Sequence, residues 1–200
     1  VVVPGPAACH DPGHGDHRPA EVWVTAVAAT WLDELEALPE RPAPAADVVR
    51  LVDYPVALGI RQEERTIELV RELQLIALDS RAGAHASSVH ARLVAFATAV
   101  SGTYGPALAA PRAELERAHE AGEQRTEVRY PLRQDSAEQM LTYARLMEEA
   151  DAFCAAGEVI SLAPDAEVYA LRRWTVEEFL RQYHGAAPRP WPGIGRPGEH

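Results

Sequence analysis

Apolar residues along this chain recur with two distinct periods. Residues 48–56, VVRLVDYPV, are rich in β-branched side chains and predict a strand with Val49, Leu51 and the Tyr54 ring as core candidates. Pro55 cannot donate a ladder hydrogen bond, which puts that strand at a sheet edge or Pro55 at the strand's end. Residues 126–132, TEVRYPL, repeat the outline and again contain Tyr-Pro. A helical pattern follows each copy. The repeat predicts an internal αβ duplication, with the two strands in related and adjacent places of one sheet.

The helical period is equally legible. Trp23, Val27, Trp31, Leu35 and Leu38 form one apolar stripe and predict an amphipathic helix over residues 21–38. Ile67, Val70, Leu73 and Ala77, broadened by Leu69 and Ile76, predict a central helix over 61–78. Ser88 can cap a helix over 89–100 whose face carries Val89, Leu93, Phe96 and Val100. Pro111 suits the first turn of a short polar helix over 111–121, closed by Gly122. Asp135-Ser136-Ala137-Glu138 reads as a capping box for a helix that Gly157 ends, with Met140, Ala144 and Met147 along one face. A third strand is expected over 158–162 and a last long helix over 164–184.

Between these elements lie Pro- and Gly-rich stretches. They predict a disordered head over 1–20, a semi-extended linker over 39–46, and a tail over 187–200 laid on the surface through Trp191. The fold class expected is therefore α+β and mainly helical. A small two- to three-stranded sheet and four or five helices make one globular domain over 47–186.

Composition narrows the function. Two hundred residues, 47% hydrophobic and 24% charged, describe an ordinary soluble domain with tails. A net charge of −11 argues against nucleic acid and against an anionic membrane surface as partners. No apolar run approaches the roughly 20 residues that span a bilayer. The opening VVVPGPAAC lacks a positive n-region and does not read as a signal peptide; residues 1–45 are a native appendage or an over-extended reading frame. Two cysteines in unlike contexts, Cys9 and Cys154, make a reduced cytoplasmic protein the default expectation.

All nineteen basic residues are Arg, and the chain has neither Lys nor Asn. Lysine-dependent phosphate loops, protein kinases and Schiff-base enzymes are thereby excluded, as is the Asn box of histidine-kinase-like ATPases. The cluster Cys9, His10, His14 and His17 has metal-ligand chemistry but sits among Pro and Gly that cannot hold tetrahedral geometry. No metal site and no cofactor are expected. Glu116 and His119 form a lone Glu-x-x-His, where a di-iron bundle needs two; a solvated face is the expectation. Glu148, Glu149 and Asp151 read as an exposed acidic face, and Cys154 as core. No catalytic residue stands out.

The last helix carries the best candidate surface. Arg172, Arg173 and Arg181 alternate with Tyr169, Trp174 and Tyr183, and guanidinium beside aromatic suits carboxylate or phosphate recognition. The plainer reading buries Trp174 and Phe179 and pairs the arginines with nearby carboxylates.

The segments LVDYPVALGIRQEERTIELVRELQLIAL, EADAFC and LRRWTVEEFLRQYHG, followed by PRPWPG, resemble an actinobacterial family of uncharacterised proteins. The resemblance covers residues 48–193. It implies association with stress-signalling modules of anti-sigma ATPases, their antagonists and serine phosphatases, and carries no activity over to individual residues. The expected function is a non-enzymatic cytoplasmic regulator acting through protein contacts, its partner a component of such a module and its contact residues Trp23, Trp31 and Trp174. The alternative is a sensor or enzyme binding a small anion in a pocket of Arg172, Arg173 and Tyr130. A cleft where Arg and Tyr converge favours the alternative; a flat apolar groove favours the regulator.

Overall fold

The computed structural model describes residues 31–33, 35, 47–82, 98, 105–157, 160–161 and 163–193. The expectations for the head, for Trp23, for the linker and for the helix over 89–100 (but for Thr98, which is helical) lie outside them. The fold is α+β and mainly helical, as the periodicities predict. Its elements are β1 (Val48–Pro55), α1 (Val56–Ala82), α2 (Gly105–Glu120), β2 (Arg125–Pro131), α3 (Ser136–Ala155) and α4 (Ala166–Tyr183).

β1 and β2 pair antiparallel, with Val49 opposite Tyr130 and Leu51 opposite Val128. The two Tyr-Pro ends therefore lie at opposite ends of one ribbon. Two residues of β1, Val52 and Asp53, then face the single Glu127 before Tyr54 meets Thr126. This bulge is built on Asp53, whose φ of 58° is tolerated because a short polar side chain adopts the left-handed region more readily than a branched one. The extra residue lets Tyr54 follow Val49 and Leu51 into the core; all three are buried, as expected. Ile160 and Ser161 form a bend, so the third strand is not made there.

The outer edges of the ribbon are closed by side chains and by the tail. At the level of Arg50 and Arg129, Glu114 of α2 accepts from the Arg129 amide at 2.9 Å and Gln182 of α4 bonds the Arg50 main chain. One step on, Pro190 bridges to Val52 in parallel and the Trp191 amide donates to the Val52 carbonyl at 3.0 Å. Pairing these groups shortens the open edge that another strand could use as a template. Trp191 is thus buried rather than draped over the surface, its ring edge-on to Trp174 at 5.1 Å. The folded body runs past residue 186 accordingly.

Helix boundaries depart from expectation where proline and glycine mislead. β1 passes into α1 without a loop, five residues before the expected start, and the Val56 amide donates to the Gln124 carbonyl at 3.1 Å. α1 accommodates Gly59 because a Cβ there would stand 2.5 Å from Tyr54 Cε1 and 3.0 Å from Leu115 Cδ2. α2 begins at Gly105, with Pro106 in its first turn, and keeps Pro111 inside. The capping box does not form. Asp135 makes no side-chain bond to a helix amide and accepts instead from the Gln139 side chain at 2.6 Å. Capping by a carboxylate occurs at α4, where Asp165 Oδ1 accepts from the Glu167 and Val168 amides at 3.0 and 2.9 Å.

α4, not α1, is the central helix. It buries residues nearly all round, from Val168 and Leu171 through Trp174, Val176 and Phe179 to Leu180 and Tyr183, and packs on α1, α3 and β1. One core joins it to the ribbon and to Leu115 of α2. A second joins Leu69 and Leu73 of α1 to Met147, Ala150 and Cys154 of α3. Residues 31–33 and 35 are helical, and Trp31 and Leu32 belong to the first core. Exposing a tryptophan stripe to water is unfavourable, and the chain avoids that exposure by folding this turn onto its own body. The docking role expected for Trp31 and Trp174 is not available to these buried rings.

Candidate ligand cavity

Four helices and β2 line a cavity of about 70 Å³ that opens to solvent past Pro131 and Gln139. α4 supplies Arg172, Thr175, Val176 and Phe179, whose spacing of three, one and three keeps them on one helical face. α3 supplies Ser136, Gln139, Met140 and Tyr143 by the same period, while α1 gives Gln62 and Glu63, α2 gives Leu108, and β2 gives Tyr130 and Pro131. The lining is mostly apolar with a few polar groups, the usual make-up of a small-molecule site.

Of the three residues expected to line a pocket, two lie at this cavity and one does not. Tyr130 and Arg172 both line the cavity, with Tyr130 edge-on to Phe179 at 5.9 Å. Arg173 faces elsewhere: it donates to Glu177 at 2.7 Å and lies over the Trp31 ring at 5.5 Å.

The charge of Arg172 is already met. Its Nη2 donates to Asp151 Oδ2 and, at 3.1 Å, to Glu148 Oε1. Arg65 of α1 reaches the other Asp151 oxygen at 2.8 Å, and the Tyr169 hydroxyl donates weakly to Glu148 at 3.4 Å. Asp151 is 7% exposed and Arg172 3%, so the expected exposed acidic face is instead a buried network tying α1, α3 and α4. Arginine at spacings that meet carboxylates on a neighbouring helix favours this, since two fixed opposite charges neutralise each other without water. Cys154 closes the network's edge as a buried free thiol, its pKa pushed up by burial against the opposing pull of Arg65. Glu116 and His119 are exposed, with Glu116 paired to Arg112 at 2.8 Å. Among the described residues no group of His, Cys, Asp and Glu is placed to hold a metal ion.

Three acceptor groups of the cavity stand outside the network. Gln62 Oε1 is buried without a hydrogen-bond partner. Thr175 Oγ1, in a residue only 6% exposed, stands beside the Tyr54 phenol without a well-formed hydrogen bond to it. Burial pushes the Glu63 carboxyl above its ordinary value, Arg112 opposing and Glu116 adding to the shift. The nearby phenols respond in the same sense. Burial with the Glu63 charge pushes Tyr143 up to about 12 and Tyr130 well above its ordinary value, so both stay protonated. Sequence reasoning missed Glu63, Gln62 and Thr175, because helical spacing alone does not reveal which polar residues lack a partner.

Compared with known proteins, the chain matches no family model, no curated protein and no solved structure. Among the described residues no helix is long and apolar enough to cross a membrane.

Proposed function

We propose that this protein is a non-enzymatic cytoplasmic regulator of a bacterial stress or sigma-factor pathway, acting through protein contacts that a small ligand in the cavity adjusts. The observation that carries the reading is the cavity, where buried acceptors without partners stand among apolar walls. Reactive pairing is not what these groups offer. Thr175 has no general base bonded to it, and the Tyr143 and Tyr130 phenols hold their protons. The resemblance over residues 48–193 supports the pathway, and its partner would be an anti-sigma or phosphatase component. An anionic ligand, the first expectation for Arg172, loses its basis because Asp151 and Glu148 neutralise that guanidinium.

Affinity capture of the full chain from its native host tests the reading. Recovery of an anti-sigma ATPase, antagonist or serine phosphatase, changed in yield by a cavity-filling Thr175→Met substitution, is expected. Capture of none of these, with turnover of a co-purifying small molecule, would replace a regulator by an enzyme.

A further inference from the structure

We propose that the cavity binds a small primary ammonium ion, a ligand of about the size of ethylammonium. This rests on the reading of the cavity as a ligand site and adds the chemical class.

Charge balance points to a cation. Around the cavity, Arg172 and Arg65 are matched by Asp151 and Glu148. Arg112 bonds Glu116 and also acts on Glu63, so two carboxylates share one guanidinium and one negative charge is left over beside the cavity. Hydrogen-bond balance points the same way. Gln62 Oε1 is an acceptor without a donor, and Thr175 Oγ1, whose contact with the Tyr54 phenol is poorly formed, can accept as well as donate, so a group rich in N–H donors satisfies both. An ammonium head supplies three donors and no acceptor. The rings of Tyr130 and Phe179, edge to face, add the electron-rich surface that favours a cation.

Size limits the ligand from the other side. The cavity of about 70 Å³ is roughly half of the ~150 Å³ apolar cavity that accommodates benzene, which suits about three heavy atoms. A short aliphatic tail would lie against Met140, Val176 and Phe179 while the head faces Glu63 and Gln62.

The test is calorimetric titration of the full chain with ethylammonium chloride, beside sodium propionate and ethanol as anionic and neutral probes of similar size. Saturable binding of ethylammonium alone is expected, weakened at least tenfold by Glu63→Gln and severalfold by Thr175→Val. Gln62→Met gives the same information should Glu63→Gln fail to fold. Propionate or ethanol binding equally well would overturn the ammonium assignment while leaving the cavity a ligand site. Binding of none of the three, with only water found in the cavity by crystallography, would overturn both readings. Ethylammonium binding unchanged in the variants places it elsewhere and likewise overturns the assignment.

Discussion

The side-chain amide of Gln182 bonds both main-chain polar groups of Arg50: Oε1 accepts from the amide at 2.9 Å and Nε2 donates to the carbonyl at 2.8 Å. One residue of α4 thus does for β1 what a third strand would do. Its Nε2 also reaches Glu178 at 2.8 Å, so the strand edge, the helix and the tail share one bonded group. Gln182→Ala leaves partly buried main-chain groups unpaired and is expected to cost about 1 kcal/mol. Urea unfolding of the variant measures it, with an unchanged midpoint as the contrary result.

Gly59→Ala has an expected sign opposite to the usual one. In an ordinary helix interior the change stabilises by about 1 kcal/mol. Here the new methyl meets Tyr54 Cε1 at 2.5 Å, where the ring is wedged in the core and cannot retreat. Overpacking of this kind costs about 1–3 kcal/mol. Thermal unfolding decides the sign directly.

Arg172→Leu separates a structural guanidinium from a ligand-binding one. Removing it leaves Glu148 and half of Asp151 buried without countercharge, which costs about 3–5 kcal/mol. A purely ligand-binding arginine would leave the unfolding midpoint in place.

Trp31→Ala addresses the tryptophan turn. The ring is 4% exposed within the first core, and truncating such a side chain costs about 3–5 kcal/mol. A docking residue would lose partner affinity with no change in the midpoint.

Two carboxylates are expected to respond to pH with opposite signs. Burial pushes Glu178 up, but bonds from Arg181, the Arg189 amide, Gln182 and the Arg189 side chain outweigh it and hold its pKa below the ordinary 4.5. Its contribution is present above the unfolded value and disappears as pH falls through the folded one. Glu63 is raised by burial, so its charged form weakens the fold above the unfolded value, and acidification from neutral relieves that. Glu63→Gln should raise stability at about pH 7, whereas Glu178→Gln should lower it there and flatten the acid limb. Urea midpoints across the range check both.

Periodicity reached what is set locally and stopped at what is set by pairing. Val49 and Leu51 were legible as core because strand alternation is a local property, whereas Tyr54 joins them only through the bulge at Asp53; Gly122 was legible as a helix end because its φ of 71° needs glycine. The start of α1 was hidden because its first turns are held by distant contacts, such as Gly59 against the Tyr54 ring and Leu115, that no local period displays. Glu148 and Asp151 looked solvated because their partners, Arg172 and Arg65, come from other helices. Of the arginines and tyrosine named from the sequence, Tyr130 and Arg172 line the cavity and Arg173 does not, because helical spacing turns neighbouring residues to different faces; Gln62 and Thr175 carry no pattern that marks an absent partner.

The closing of β1 also has a consequence for synthesis. Both of its edges are completed by residues made much later, β2 on one side and Gln182 with Pro190 and Trp191 on the other. A growing chain emerging from the ribosome leaves the outer edge of β1 open until residues 182–191 have been added. Such a topology favours delayed, all-at-once closure over stepwise assembly, and long-range contacts of this kind slow folding. Products released before residue 182 would present an open strand edge, the form that chaperones retain and proteases clear.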